Sequence, residues 1–155
     1  MQLPTQEWES QNIIFALIFM LSNKLQTIGD SFFTEVSTKQ WFILLILGIM
    51  RDYSPTLTEL ADTVGSSHQN VKQLVLKLEQ KGFVDIAKDS VDARRLRIKL
   101  TAQSETFFQE YHQKNSDFMN RLFGSFDPEK LEITKEVLLS MRTILEGTEK
   151  EYVKE

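Results

Sequence analysis

Apolar residues dominate the first third of the chain. The runs IIFALIFML and WFILLILGIM lie in segments with the pattern of helices, over residues 7–28 and 38–50, and each run is apolar nearly all round. A helix that is apolar on most sides is normally buried. The pattern therefore predicts two N-terminal helices that are covered by protein on most sides.

Two shorter amphipathic segments follow. Thr56 and Glu59 match a capping box, which predicts a short helix that Gly65 ends. Ser67 can cap another helix, and Gly82 follows its end. The apolar stripe of this second helix is Val71, Leu74, Val75 and Leu78. The sequence thus predicts two capped helices joined by a turn.

A two-residue period then replaces the helical one. In RLRIKL the apolar residues alternate with Arg95, Arg97 and Lys99, which is typical of a half-buried strand. Residues 83–87 can pair with this strand, and residues 88–94 form the loop between them. Two capped helices followed by a hairpin make a winged helix-turn-helix, whose second helix lies in a DNA major groove and whose hairpin flanks it.

Two long helices are predicted after the hairpin. Thr101 can cap the first, and Asp127 with Pro128 begins the second, which should end just before Gly147. The polar residues 148–155 are predicted to form a frayed tail. The predicted fold class is therefore mainly α with a small β-hairpin.

Composition narrows the function classes. With 155 residues, 41% of them hydrophobic, the chain can bury the core of one ordinary domain. It has no cysteine, which excludes thiolate catalysis and disulfides, and its two histidines make a transition-metal site unexpected. Neither a Gly-rich phosphate loop nor a nucleophile–base pair is found in the sequence. We therefore expect no enzyme, no metal and no cofactor.

The charge distribution and the length of the apolar runs indicate which partners, nucleic acid or membrane, the protein can have. The net charge is −4, yet residues 54–101 hold eight basic and six acidic residues. An acidic total does not forbid nucleic-acid binding, because phosphates are felt over roughly 10 Å and a local patch decides. The first apolar run is about half the length that crosses a bilayer, and no signal peptide pattern precedes it. A cytoplasmic protein without a membrane partner is expected.

The second capped helix carries the candidate base-reading residues. Gln and Asn amides can both donate to and accept from an adenine edge, whereas Lys ammonium groups act as point charges toward phosphates. His68 could equally be an ordinary exposed residue at a helix start. The candidates on this helix are Ser67, His68, Gln69, Asn70, Lys72, Gln73 and Lys77, with Lys81 as a further phosphate contact.

Two stretches of the chain together resemble the MarR family of bacterial transcriptional regulators. They are ELADTVGSSHQNVKQLVLKLEQKGFV and the following DSVDARRLRIKLT. The likeness lies in the helix-turn-helix and in the wing pattern D-x-x-D-x-R, followed by an alternating strand that ends in Leu-Thr. The flanking long helices match the family's dimerisation region. The resemblance implies N-terminal dimerisation helices over residues 1–50, a winged helix-turn-helix over 51–100, and C-terminal dimerisation helices over 101–147.

The resemblance also implies roles for the wing. Asp92 and Arg94 match the family's wing aspartate and the arginine that reaches the minor groove, and Asp92 can hold Arg94 by a bidentate hydrogen bond. Ala93 departs from the family, where this residue is often basic, and Ser104 stands where a glycine is common. The wing candidates for DNA contact are Asp92, Arg94, Arg95 and Arg97, although a solvated strand face also explains the basic strand residues.

Aromatic residues on the long helices allow two interpretations. The simpler one places them in the core. The resemblance instead implies a pocket for a small aromatic or anionic effector, lined by Phe15, Phe19, Trp41, Phe108 and Tyr111.

The function expected from these features is that of a homodimeric repressor that binds a pseudo-palindromic operator and is modulated by a small molecule. The alternative is a winged-helix interaction module whose basic wing docks an acidic partner protein. Only the first predicts salt-sensitive binding to a palindromic duplex. An enzyme that uses the cavity between the helices is disfavoured, because no catalytic constellation is present.

Overall fold

The computed structural model of the protein describes residues 8–89, 92 and 94–152, with side chains as far as Thr148. Its elements are, in chain order, α1 (Ser10–Phe32), α2 (Thr38–Ile49), α3 (Leu57–Val64), α4 (His68–Gln80), β1 (Val84–Lys88), β2 (Leu96–Leu100), α5 (Ala102–Phe123) and α6 (Pro128–Tyr152). The predicted fold class, mainly α with a small hairpin, is confirmed. The predicted helix start at Glu7, the loop residues Ser90, Val91 and Ala93, and the tail residues 153–155 lie outside the described residues.

The chain divides into two compact units, one that ends at Phe108 and one that begins at Gln109, so α5 contributes to both. The core of the first unit is built from apolar residues of α2, α3, α4, the hairpin and the start of α5. Its buried residues include Ile43, Leu44, Leu47, Leu60, Val71, Val75, Leu78, Phe83, Val84, Ile98 and Phe107. Three of the four residues in the stripe predicted for α4 therefore lie in this core.

The predicted helix caps of the helix-turn-helix are confirmed. Thr56 and Glu59 form a capping box at the start of α3, and Gly65 ends the helix in the left-handed conformation, with φ 66°. Glycine suits this position because a side chain there would be strained. The Ser67 hydroxyl accepts a hydrogen bond from the Asn70 backbone at the start of α4. These local signals determine where both helices begin and where the turn lies.

The hairpin is antiparallel, and Ile86 pairs with Ile98 near its middle. The segment before α3 attaches to the same strand, because the Ile98 backbone N–H donates to the Pro55 carbonyl at 3.0 Å. Leu96, expected on the buried face, is 44% exposed. It lies at the end of β2 nearest the hairpin tip, opposite Lys88 and beyond the reach of the core.

Helix α1 differs most from its prediction. It runs to Phe32, four residues beyond the predicted end, and none of its residues is buried. By length and composition alone it could cross a membrane, since its most apolar 18 residues have a mean hydropathy of 1.2. The predicted cover by protein on most sides is therefore not provided by the described part of the chain itself. The apolar run at residues 13–21 is short, as predicted, and only the whole helix has the length to span a membrane.

Helix α6 is also longer than predicted. It continues through Gly147 to Tyr152, so the helix end and the start of the frayed tail were predicted too early. A glycine inside a helix costs only about 1 kcal/mol relative to alanine, which good helix formers around it can offset. The ion pair between Arg142 and Glu146, at 2.7 Å, lies on the turn before it.

Thr38 joins α1 to α2. Its hydroxyl lies 2.8 Å from Asp30 Oδ1 and 3.0 Å from the Gln26 carbonyl, and its backbone N–H donates to Asp30 at 2.8 Å. The backbone hydrogen bond and then the hydroxyl lower the pKa of Asp30. Gly29 makes this approach feasible, because a Cβ atom there would lie 2.4 Å from the Thr38 hydroxyl oxygen.

Replacing Gly29 by alanine should therefore destabilise the protein by about 1 to 3 kcal/mol, the usual cost of overpacking. The matched control is Gly147→Ala in α6, where an added Cβ would meet nothing within 4 Å. That change should stabilise the helix by up to about 1 kcal/mol. Urea unfolding at one protein concentration measures both. Equal stabilisation by the two variants would show that Thr38 can move away without cost.

Candidate nucleic-acid interface

The outward face of α4 is polar and carries most of the predicted reading residues. Four of them line one depression together with a leucine that sequence analysis missed: His68, Gln69, Lys72, Gln73 and Leu76. All are exposed, because the opposite face of α4 supplies the buried stripe of the core. Leu76 could have been found by its spacing, since it follows Lys72 by one helical turn.

Asn70 and Lys81 are held by other parts of the protein. The Asn70 side-chain amide is half-buried and donates to the Ser66 hydroxyl at 2.8 Å. The Lys81 ammonium donates to the Glu35 carbonyl and lies 3.4 Å from the Gln40 amide oxygen. The structure thus gives both side chains an intramolecular role. Lys77, in contrast, is exposed in the last turn of α4. Ser67, directly before α4, is exposed although its hydroxyl caps the helix.

Arg97 lies near the loop end of β2, opposite Ala87, and hydrogen-bond acceptors surround its side chain. Its side chain is 23% exposed, and its Nε donates to Asp89 Oδ2. Its Nη1 lies 2.9 Å from the Ser54 carbonyl and 3.0 Å from the Tyr53 hydroxyl. The hydrogen bond with Asp89, and next that with Tyr53, raise the pKa of Arg97. The guanidinium therefore ties the hairpin to the segment before α3.

The partners of Arg97 were not predicted from the sequence. Glu59 had been identified only as a capping residue, yet its Oε2 lies 3.4 Å from Arg97 Nη1 while it accepts the Thr56 backbone N–H. That backbone bond, and then the Tyr53 hydroxyl, lower the pKa of Glu59. Asp89 is the first aspartate of the D-x-x-D-x-R pattern, which was the signal available for it. No local pattern indicated Tyr53, because its partner Arg97 is 44 residues away in the chain.

Asp92 organises the tip of the hairpin. Its Oδ1 accepts the Arg94 backbone N–H at 3.1 Å and the Arg94 Nε at 3.2 Å, and its Oδ2 lies 3.6 Å from Arg95 Nε. The predicted contact between Asp92 and Arg94 is confirmed, although one donor is the backbone and only one is the guanidinium. The Arg94 side chain is 92% exposed. It is oriented near its base while its charged end faces solvent.

The charges of this surface are suited to a polyanion. The exposed cations on α4 and the hairpin include Lys72, Lys77, Arg94, Arg95 and Lys99. The carboxylates of Asp89 and Asp92 are each paired with at least one arginine. Positive charge is therefore left at the surface. Across the described residues, no three His, Asp or Glu side chains come together as a metal site.

The aromatic residues predicted for a pocket differ in their surroundings, and Trp41 and Phe108 are joined by ring contacts through Phe33 and Phe107. Phe15 and Phe19 pack edge to face at 5.1 Å, and they are 63% and 60% exposed, so the simpler prediction of core residues is wrong for them. Trp41 stacks on Phe33 at 5.2 Å. Phe108 contacts Phe107 in the first unit. Tyr111 belongs to the second unit, where Lys114 Nζ lies 5.5 Å from its ring centroid.

Known sequences are similar to this interface and to the helices around it. The sequence model of the MarR family matches residues 35–95, which contain α2, α3, α4 and β1. The transcriptional regulator AdcR of Streptococcus pyogenes is 25% identical over 148 residues, covering 92% of this chain and 99% of AdcR. The helix-turn-helix transcriptional regulator YfiV of Bacillus subtilis is 25% identical over 117 residues, covering 76% of this chain and 72% of YfiV.

Solved structures share the fold along nearly the whole chain. A MarR protein from Peptoclostridium difficile superposes with a TM-score of 0.77 at 20% identity, covering 96% of this chain and 94% of its own. The S. aureus MepR–DNA complex gives a TM-score of 0.71 at 21% identity, with 84% and 96% covered. These structures confirm the winged helix-turn-helix fold. In sequence, the segment from α2 to β1 is similar to the MarR family of transcriptional regulators, whose model it matches.

Proposed function

We propose that the protein is a cytoplasmic, homodimeric repressor that binds a pseudo-palindromic operator and responds to a small-molecule effector. The observation that carries the DNA-binding part is the polar face of α4, with His68, Gln69, Lys72 and Gln73 exposed on one surface. A buried apolar stripe behind this face holds it outward as a helix that can enter a major groove. A bound dimer occludes the duplex it covers, which makes repression the simplest regulatory outcome.

The α4 side chains have different proposed roles. Gln69 and Gln73 read base edges, because an exposed amide offers both a donor and an acceptor. Lys72 and Lys77 contact phosphates. His68 and Ser67 lie at the start of α4, which approaches the DNA backbone. Asn70, whose amide is engaged by Ser66, fixes the first turn of α4.

The wing has a second role. Arg94 enters the minor groove, where a narrow A·T-rich segment strengthens the negative potential, and Arg95 contacts the adjacent backbone. Asp92 orients both arginines. Arg97, predicted from the sequence as a DNA contact, instead anchors the wing, because its guanidinium is already surrounded by Asp89, Tyr53 and Ser54.

The exposed apolar surface supports a homodimer. Large apolar residues of α1 that are exposed include Ile14, Phe15, Leu17, Ile18, Phe19, Met20 and Leu21, and those of α5 and α6 include Met119, Leu122, Ile133, Val137, Leu138 and Leu139. Patches of this kind mark protein contacts in soluble proteins. Two-fold pairing also places two α4 helices on successive major grooves, roughly 34 to 36 Å apart. The same pairing covers α1. This helix carries the charged residue Lys24 within its length, which suits a protein contact better than a bilayer.

An aromatic chain supports effector control. Trp41 contacts Phe33, Phe33 contacts Phe107 at 6.0 Å, and Phe107 contacts Phe83 at 5.3 Å, directly before β1. Trp41 is half-buried, so a ligand can reach this end of the series of aromatic contacts. The other end, Phe83, is adjacent to the first strand of the wing. A small aromatic or anionic molecule that shifts Trp41 would then change the operator affinity.

The roles on α4 predict two different losses of binding. Gln73→Ala should relax the preference at one base position per half-site by about 1 to 3 kcal/mol. Lys77→Ala should weaken operator and unrelated DNA equally and lower the salt slope by about two per dimer, because each phosphate contact releases close to one counterion. Titrations of labelled duplexes at several salt concentrations separate the two. Equal loss on all sequences for Gln73→Ala would remove the base-reading role, and binding to an acidic protein but no duplex would establish the interaction module.

The dimer predicts that charge on α1 separates the subunits. The wild-type protein should sediment as a dimer at micromolar concentration, whereas a variant with Phe15→Glu and Phe19→Glu should be a monomer, since buried unpaired charges cost several kcal/mol. The control is Ile49→Glu on α2, a residue that is 72% exposed and lies outside the proposed contact. It should remain a dimer. A wild-type monomer would contradict the proposal.

Effector control predicts a coupled optical and binding response. In a Trp8→Phe background Trp41 is the only tryptophan. A compound that binds near it should shift the tryptophan emission and weaken operator binding at the same concentrations. A panel of phenolic and anionic metabolites is screened in both assays, with Trp41→Phe as the optical control. A panel that changes neither signal would count against effector control and leave the DNA-binding proposal intact.

A further inference from the structure

We propose that Tyr53 is a positioning residue for the wing, whose hydroxyl holds Arg97 and thereby sets where Arg94 lies. The inference rests on the proposed function, because Arg94 acts only when the wing meets DNA. It concerns a tyrosine outside both α4 and the hairpin. Its basis is a continuous series of contacts that begins at the capping box of α3 and ends at the wing tip.

The first step joins α3 to Arg97. The Tyr53 hydroxyl donates to Glu59 Oε1 at 2.7 Å and accepts from Arg97 Nη1 at 3.0 Å. Glu59 is itself restrained, because its other oxygen accepts the Thr56 backbone N–H at 2.7 Å in the capping box. The Arg97 guanidinium also lies over the Tyr53 ring, 5.4 Å from its centroid. Tyr53 thus fixes the guanidinium from two directions.

The second step runs from Arg97 to the wing tip through two aspartates. Asp89 Oδ2 accepts from Arg97 Nε, and Asp89 Oδ1 accepts the Asp92 backbone N–H at 2.9 Å. Asp92 in turn binds the backbone and the guanidinium of Arg94. Each residue is held by the preceding one through a hydrogen bond to a charged group, the stronger kind in proteins. A displacement of Arg97 is therefore transmitted to Arg94.

Loss of the hydroxyl affects orientation more than folding. Tyr53 is 50% exposed, and the ring under Arg97 is retained in Tyr53→Phe. Arg97 keeps its contacts with Asp89 and the Ser54 carbonyl, so the hairpin stays paired. The wing arginines then have to be ordered on binding, which should weaken operator affinity by about three- to tenfold for the two wings of a dimer.

A double-mutant cycle tests whether Tyr53 acts through Arg94. Operator affinity is measured for the wild type, Tyr53→Phe, Arg94→Ala and the double variant under one salt condition. Tyr53→Phe should weaken binding about three- to tenfold alone and less than about twofold in the Arg94→Ala background, because the group it positions is then absent. An equal loss in both backgrounds, or no loss in the single variant, would overturn the inference. Thr58→Ala, an exposed change on α3, is the matched control and should leave affinity unaltered.

A second measurement needs no DNA. The backbone N–H groups of Asp92, Arg94 and Arg95 are hydrogen-bonded within the wing, so their hydrogen exchange reports its order. Exchange should accelerate in Tyr53→Phe and in Arg97→Lys, which loses the fork but keeps the charge, while the buried Leu60 amide in α3 remains protected. Unchanged exchange in both variants would overturn the positioning role. Because this readout is independent of the operator, a wild-type protein that binds no duplex would refute the proposed function separately.

Discussion

Burial of the apolar stripe of α4 is the constraint on which the binding surface depends. Val71, Val75 and Leu78 are fully or almost fully buried, and Leu60 of α3 lies in the same core. Because α4 can turn no other face inward, His68, Gln69, Lys72 and Gln73 have to face outward. The packing of the core and the exposure of the reading residues are two consequences of one helical periodicity.

Carboxylates in the wing organise the cations of a protein whose net charge is negative. Asp89 holds Arg97 and the backbone of the tip, and Asp92 holds Arg94 and Arg95. Each aspartate reduces the local positive charge, yet it restricts arginines that would otherwise lose more conformational freedom on binding. In a hairpin with little core of its own, such hydrogen bonds supply the order that apolar packing supplies elsewhere.

The terminal helices leave more large apolar residues exposed than the winged helix does. Helix α1 buries none of its residues within its own chain, although it is the most apolar long segment. The proposed two-fold pairing would remove this surface from water and would set the distance between the reading heads at the same time. The way the two subunits pair then sets the distance between the two α4 helices, and any ligand that alters the pairing alters this distance.

The sequence by itself determined the local elements: the caps at Thr56 and Ser67, the turn at Gly65, and the alternation that makes β2 a strand. These depend on residues a few positions apart, so a single chain segment contains the whole signal. Tertiary structure decided the rest. Arg97 anchors the wing because the fold brings it to Tyr53, which is 44 residues away in the chain. Leu96 is exposed because the core ends at Ile98. The Asn70 amide binds Ser66. Periodicity states that a side chain leaves the core, whereas only the fold brings distant partners within hydrogen-bonding distance of it.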